Sequence, residues 1–293
     1  MTPATVTAPA TGINFAAALP HPPIFVAGIG SAADHAEAHA SRRAYAQAAS
    51  LVVAAKPELL VIATPHGRIY RNCFSVSTGS GACGDWRSFG RDPERYKVAY
   101  DEGFSKDLLE CAKSAGIPCA KGDEAILDHG VMVPLHFLLA AGLSPEACKF
   151  ARISISLLDE NAHYQLGRCV QEIASSHGRK TVFIASGDLS HRLKNEGPYS
   201  YSPEGPAFDR AVTEVFATGD FARFFSFDDD FRENAGECGL NSFLMMAGVF
   251  DGYDVEAQLH SYEGPWGVGY GVATFARRGP NPARHFVKRP AIL

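Results

Sequence analysis

The chain has 293 residues, 46% of them hydrophobic and 20% charged, which is ordinary globular composition and enough length for one large domain. A net charge of −5, a pI near 6.1 and the absence of any basic run argue against nucleic acid or an anionic membrane as the main partner and favour a small substrate. No stretch approaches the roughly 18 consecutive apolar residues of a membrane span, and the seven scattered cysteines, with no Cys-x-x-Cys pair, point to a reducing, cytoplasmic setting.

Met1 to Thr11, rich in Ala, Thr and Pro, reads as a loose tail without the features of a signal peptide. A first strand, Phe15 to Leu19, runs into Pro20-His21-Pro22-Pro23. Ala32 to Ala55 is Ala-rich and is expected as one long helix with His35, His39, Arg42 and Arg43 on its wet face; the i, i+4 histidines there read as a solvated pair. Leu59 to Ala63 is apolar without alternation, as in a strand buried on both faces of a parallel sheet, and Pro65 ends it just before His66.

From Arg68 to Val98, Gly, Ser and aromatic residues predict a long surface excursion able to cover a cleft, with Phe74 to Ser77 strand-like inside it and Arg68, Tyr70 and Trp86 as candidate substrate contacts. Asp101 to Ala115 is an amphipathic helix stopped by Gly116. Asp128-His129-Gly130 then opens an apolar segment, expected as a buried helix from near Pro134, in which His136 is a core histidine with a backbone partner. Strand Phe150 to Leu157, helix His163 to Ser176 and strand Thr181 to Ala185 lead into Ser186-Gly187-Asp188-Leu189-Ser190-His191. Helices follow at Ala207 to Ala217, Asp220 to Ser226 and Leu240 to Phe250, and closing strands at Val255 to Tyr262 and Gly269 to Phe275. This alternation predicts a single α/β domain, residues 12–278, with a largely parallel central sheet flanked by helices and with tails at 1–11 and 279–293.

Three of the strands deliver a histidine within a few residues of their ends, where open α/β sheets collect ligands. Two imidazoles and a carboxylate suit a first-row metal and leave positions open on it. His21 and His66 form a candidate pair, and Asn234-Ala235-Gly236-Glu237-Cys238-Gly239 offers the carboxylate of Glu237 between glycines that permit close backbone approach. Asp188 is expected to bond backbone N–H groups in its turn.

Pro20-His21-Pro22-Pro23, Thr64-Pro65-His66, Asp128-His129-Gly130 with Val133-Pro134-Leu135, and Ser186 to His191 occur in the order seen in class III extradiol ring-cleavage dioxygenases. Over roughly Asn14 to Phe275 the chain resembles the catalytic subunit of the protocatechuate 4,5-dioxygenase type and its 2-aminophenol-cleaving relatives. That resemblance implies one non-haem Fe(II) held by His21, His66 and Glu237, with His191 as the acid–base group and His129 as a second substrate-side histidine. Histidine suits the acid–base role because its ordinary pKa, about 6.5, permits both proton uptake and release near neutral pH. The implied substrates are O2 and a catechol-type or 2-aminophenol-type aromatic. The implied assembly is a homo-oligomer, with a small second subunit left open. The Cys238-Gly239 that follows Glu237 is similar to Memo-type proteins, which share the fold and the two metal histidines but use a cysteine and are not established ring-cleaving enzymes. That similarity implies the alternative, a metal-binding protein without ring-cleavage activity.

Overall fold

A computed structural model describes residues 12–91, 94–197 and 199–287. Its strands are β1 (Gly12–Leu19), β2 (Leu59–Thr64), β3 (Phe74–Ser77), β4 (Gly81–Gly84), β5 (Tyr96–Ala99), β6 (Cys119–Gly122), β7 (Lys149–Ser154), β8 (Lys180–Ser186), β9 (Tyr253–Glu263) and β10 (Tyr270–Pro280). The helices are α1 (Ala32–Glu37), α2 (His39–Ala54), α3 (Glu102–Ser114), α4 (His129–Ala140), α5 (Glu160–Ser176), α6 (Glu204–Thr218), α7 (Asp229–Ala235) and α8 (Leu240–Val249).

Eight strands form one sheet in the order β6-β3-β7-β2-β8-β1-β10-β9, and β4 pairs with β5 apart from it. The middle of the sheet, β7-β2-β8-β1, is parallel throughout, and β10 and β9 close one edge antiparallel. The apolar run of β2 is buried on both faces, as its lack of alternation predicts: Leu59, Val61 and Ala63 join the core with Phe104, Tyr164 and Phe243, while Leu60 and Ile62 face Tyr45, Val133 and Leu138. Helices α3, α5, α6 and α8 therefore cover one face, and α2 and α4 the other.

Register decides where the site lies. Leu19 pairs with Ser186 and Ala63 with Ala185, so β1, β2 and β8 end level with one another. His21, His66 and Asp188 each stand two residues past those ends, on one shelf.

The expected helix from Ala32 to Ala55 is broken at Ala38 (φ −102°, ψ 23°), where α1, capped by Ser31, gives way to α2. Phe74 to Ser77 is a sheet strand with all four residues buried, inside what reads as surface excursion. Its neighbour β7 is held partly by a hydroxyl, since Ser77 Oγ donates to the Arg152 carbonyl and accepts its N–H, both at 2.9 Å. Helix α4 begins at His129, so Pro134 lies inside it. At the far end β10 continues to Pro280, and the Arg284 guanidinium lies 5.2 Å over the Phe221 ring, so part of the expected tail packs on the domain. Residues 1–11 lie outside the described residues. No helix among those described is long and apolar enough to cross a membrane.

Candidate metal centre

His21 leaves the end of β1 into the sequence Pro20-His21-Pro22-Pro23 and is buried, 1% exposed. Its backbone N–H donates to Asp188 Oδ1 at 2.8 Å, and its Nδ1 lies 2.9 Å from Ser186 Oγ. His66 stands at the solvent edge, its N–H donating to Thr64 Oγ1 at 3.2 Å, while that hydroxyl donates to Asp128 Oδ1 at 2.7 Å. The Nε2 atoms of the two imidazoles are 2.9 Å apart.

The third arm comes from the loop between α7 and α8, which lies along the segment after β8. Ser190 and Glu237 form an antiparallel bridge, Ser190 Oγ donates to the Ala235 carbonyl at 2.7 Å, and the His191 N–H donates to the Gly236 carbonyl at 3.3 Å. Gly187 and Gly239 let the two backbones touch, because a Cβ on Gly187 would lie 2.2 Å from the Gly239 Cα. Side chains in extended chain alternate, so only one of Glu237 and Cys238 can face the histidines. Cys238 does: its Sγ is 3.6 Å from His21 Nε2 and accepts the Asp188 N–H at 3.3 Å. The ligand atoms of His21, His66 and Cys238 all lie within 4.8 Å of one another.

Glu237, the expected carboxylate ligand, turns the other way. Its Oε1 takes two bonds from Arg232, 3.0 and 3.1 Å long, and its Oε2 accepts the Leu240 N–H at 2.7 Å. That last bond caps α8, whose N-cap position is Gly239 and has no side chain to do so.

The remaining expected residues surround this triad. Asp188 was expected to bond N–H groups of its own turn, but its Oδ1 accepts the N–H of His21 from beyond the end of β1, and its Oδ2 lies 3.8 Å from both His21 Nε2 and His191 Nε2. His191 is stacked on Tyr199, with ring centroids 5.7 Å apart. His129, the first residue of α4, has its ring centroid 4.0 Å from that of His66, with Phe89 meeting its other side at 5.8 Å. Phe89 lies in the turn between β4 and β5, so the 68–98 excursion does reach the site.

Beside His66 a cleft of about 480 Å³ opens, with Arg68, Glu124, Ile126, Asp128 and Arg152 on its walls. Arg152 is tied down there, donating to the Ile126 and Glu124 carbonyls at 2.8 and 3.0 Å. Arg68 pairs with Glu124 at 3.2 Å, and its Nη1 lies 3.5 Å from the Tyr70 hydroxyl. Trp86 is buried away from the cleft, its Nε1–H donating to the Tyr96 hydroxyl. That hydroxyl is in turn hydrogen-bonded to His136 Nδ1 at 2.9 Å, so His136 has a side-chain partner where a backbone one was expected. His35, expected in a solvated pair with His39, donates its Nε2–H to the Ile29 carbonyl at 2.7 Å.

The electrostatics suit a bound cation. Burial first, then the neighbouring imidazoles, lower the His21 pKa to about 3 against the pull of Asp188, and burial lowers that of His66 to about 4. Burial also lowers His129 and pushes the Cys238 thiol well up, with the Asp188 charge adding to the rise. Burial acts to raise Asp188, but the charges and bonds of His21 and His191 outweigh it and leave its carboxyl below the usual range. The site thus gathers neutral nitrogen donors and a carboxylate around one sulfur. Two imidazole nitrogens at 2.9 Å need either a shared proton or a cation between them, and the Ser186 bond at Nδ1 leaves the Nε2 lone pair of His21 to meet it. The donor set therefore fits a transition metal, with imidazole and thiolate both good ligands for Zn and Cu.

Thr64, Ser186 and Arg152 take parts in this arrangement that the sequence does not assign to them, whereas the close approach expected of the glycines around Glu237 and Cys238 is met by Gly239 against Gly187. The Gly187 and Gly239 positions carry a usable signal, since glycines flank both segments that must approach.

A profile described as "Catalytic LigB subunit of aromatic ring-opening dioxygenase" matches residues 15–273. Protein CA_C1420 of Clostridium acetobutylicum is 31% identical over 263 residues, covering 87% of this chain and 55% of that protein. The MEMO1 family protein PF1638 of Pyrococcus furiosus is 27% identical over 177 residues, 60% of this chain and 53% of that one. The chain therefore spans about half the length of the curated relatives it matches. The crystal structure of Escherichia coli K12 JW3007 superposes with a TM-score of 0.61 at 16% identity, over 89% of this chain and 99% of that one, and shares the fold. With nearly its whole length matched, the chain belongs to the family of the catalytic LigB subunit of aromatic ring-opening dioxygenases.

Proposed function

We propose that the protein is a metal-binding member of this family in which His21, His66 and Cys238 hold one thiophilic transition-metal ion, Cu(I) or Zn(II), in the manner of the Memo-type branch. One observation carries this: Cys238 Sγ faces His21 Nε2 at 3.6 Å while both Glu237 oxygens are engaged by Arg232 and the Leu240 N–H. A thiolate in place of a carboxylate shifts preference toward softer ions and away from the oxygen-ligated Fe(II) of the two-histidine, one-carboxylate set. The likeness to a MEMO1 family protein supports the same branch. When bound, the ion would lower the thiol pKa of Cys238 and act as a Lewis acid toward a ligand in the open position.

A second function, ring cleavage of a catechol-type or 2-aminophenol-type aromatic with O2, is favoured by the imidazoles kept on the open side. His191, 3.8 Å from Asp188 Oδ2, could take a phenol proton and return it, and His129 beside His66 could donate a hydrogen bond to a bound oxygen.

Anaerobic titration of the metal-free protein with Zn(II), Cu(I) and Fe(II) separates the two, followed by oxygen-uptake assays with catechols, gallate-like acids and 2-aminophenols. Preference for Cu(I) or Zn(II), lost in Cys238→Ser and kept in Glu237→Ala, is the expected result. A yellow ring-opened product with matching oxygen uptake from the Fe(II) form would instead make the protein a dioxygenase.

A further inference from the structure

We propose that Pro134 is a positioning residue for the centre: by withholding a helical N–H it obliges Ser186 to bond the Gly130 carbonyl, and this dictates which nitrogen of His21 carries the hydrogen. The inference rests on the metal-binding reading above and adds a determinant that lies outside the ligand set.

Three contacts form the chain of cause. Pro134 is inside α4, and the residue four before it is Gly130, whose carbonyl therefore has no amide donor from the next turn. A proline ring also crowds that carbonyl and tilts it off the helix axis. The Ser186 hydroxyl, at the end of β8, lies 2.6 Å from the Gly130 oxygen and 2.9 Å from His21 Nδ1. Gly130, Ser186 and His21 are all buried, so no water substitutes for a missing partner.

The logic is one of hydrogens. A carbonyl only accepts, so the single Ser186 proton goes to Gly130, and Ser186 Oγ is left as an acceptor toward His21. Nδ1 must then be the protonated nitrogen, and Nε2 presents its lone pair to His66 Nε2 at 2.9 Å and Cys238 Sγ at 3.6 Å. The opposite tautomer would set two lone pairs against each other at Ser186. It could be relieved only by turning the hydroxyl toward His21, which strands the Gly130 carbonyl in a buried position, a penalty for an acceptor that no water reaches. An amino acid with an N–H at 134 removes that penalty, because the helix itself would then satisfy Gly130 and free the hydroxyl to turn. Gly130 is the other requirement: a Cβ there would lie 2.4 Å from Thr64 Oγ1 and 3.5 Å from Ser186 Oγ.

The test uses the metal-free full chain first. Nitrogen-15 NMR correlation of the His21 ring in the wild type should show hydrogen on Nδ1 alone. Pro134→Ala and Ser186→Ala should each give a mixture with the Nε2–H form, with Ser186→Thr restoring the wild-type pattern. Zn(II) affinity, read by competition with a chromophoric chelator, should fall by about 10–100-fold in Ser186→Ala, as for other outer-shell partners of a ligating histidine, and by less in Pro134→Ala. Because the tautomer is read without metal, a wild type that binds no Zn(II) overturns the functional reading while leaving this one standing if the tautomers mix. Unchanged His21 tautomers in folded Pro134→Ala and Ser186→Ala, whatever happens to Zn(II) affinity, would overturn the proposal and reduce both residues to packing.

Discussion

His163 and His21 are both shut off from solvent, and burial depresses the pKa of each, to about 4 and about 3. His163 lies in the first turn of α5, on the helical side of the sheet. Its Nδ1 donates to the Asp159 carbonyl at 2.9 Å, its Nε2 accepts the Ser156 N–H at 3.4 Å, and Phe74 meets its ring edge-on at 4.7 Å. His21 has one nitrogen matched by the Ser186 hydroxyl, but its other nitrogen faces another imidazole, a sulfur and, at 3.8 Å, the Asp188 carboxylate. A buried imidazole with both nitrogens satisfied by backbone needs nothing more; one whose second nitrogen meets only electron-rich atoms is arranged around something still to be bound.

His21→Ala should lower metal affinity by more than the roughly 10–100-fold that loss of an outer-shell partner costs, whereas His163→Ala should keep the wild-type metal stoichiometry by elemental analysis. A folded His163→Ala protein that lost its metal would erase the distinction. In urea denaturation, His163→Ala should cost about 3 kcal/mol, combining a cavity with an unpaired Ser156 N–H.

Acid should sharpen the parallel. Both groups have folded pKa values below the 6.5 of the unfolded chain, so the unfolded state binds protons that the fold refuses. Stability of the metal-free protein should be fully present above about pH 6.5 and be lost as the pH falls toward 4, each histidine adding up to about 1.4 kcal/mol per pH unit. His163→Asn should flatten that slope; an unchanged slope would mean that His163 accepts a proton in the folded state. The smallest effect is expected from Glu237→Ala, about 1–2 kcal/mol for a lost helix cap and ion pair, with metal binding retained. Chelator competition on this variant decides whether the glutamate has any hold on the metal.

The α/β architecture was legible because a strand buried on both faces cannot hide its composition: Leu59 to Ala63 has no polar residue, and such runs recur at Phe15 and Thr181. The shelf of strand ends was legible for the same reason, since each run stops on a turn that carries a polar residue. What the pattern could not convey was direction. Glu237 and Cys238 are neighbours, and which of them faces His21 depends on the pairing of residues 235–239 with 187–191, a contact between segments about fifty positions apart. The start of α4 was misjudged because Pro134 reads as a first-turn residue, when its lost bond is compensated by Ser186 from another strand. Phe74 to Ser77 was legible as a strand, but not as part of the main sheet, because the Gly- and Ser-rich sequence around it reads as surface excursion and Ser77 joins β7 through its hydroxyl.

The contact of Gly187 with Gly239 carries a consequence for biosynthesis. A chain made from its N-terminus exposes His21 and His66 early, but Cys238 emerges late and reaches them only after β8 has docked beside β1 and the two glycines have closed on each other. Of the three residues proposed to hold the ion, the nascent chain thus carries the two imidazoles but not the thiol until residue 238 has been made. On the proposed ligand set, the full group of donors exists only once the segments that carry Gly187 and Gly239 have closed on each other.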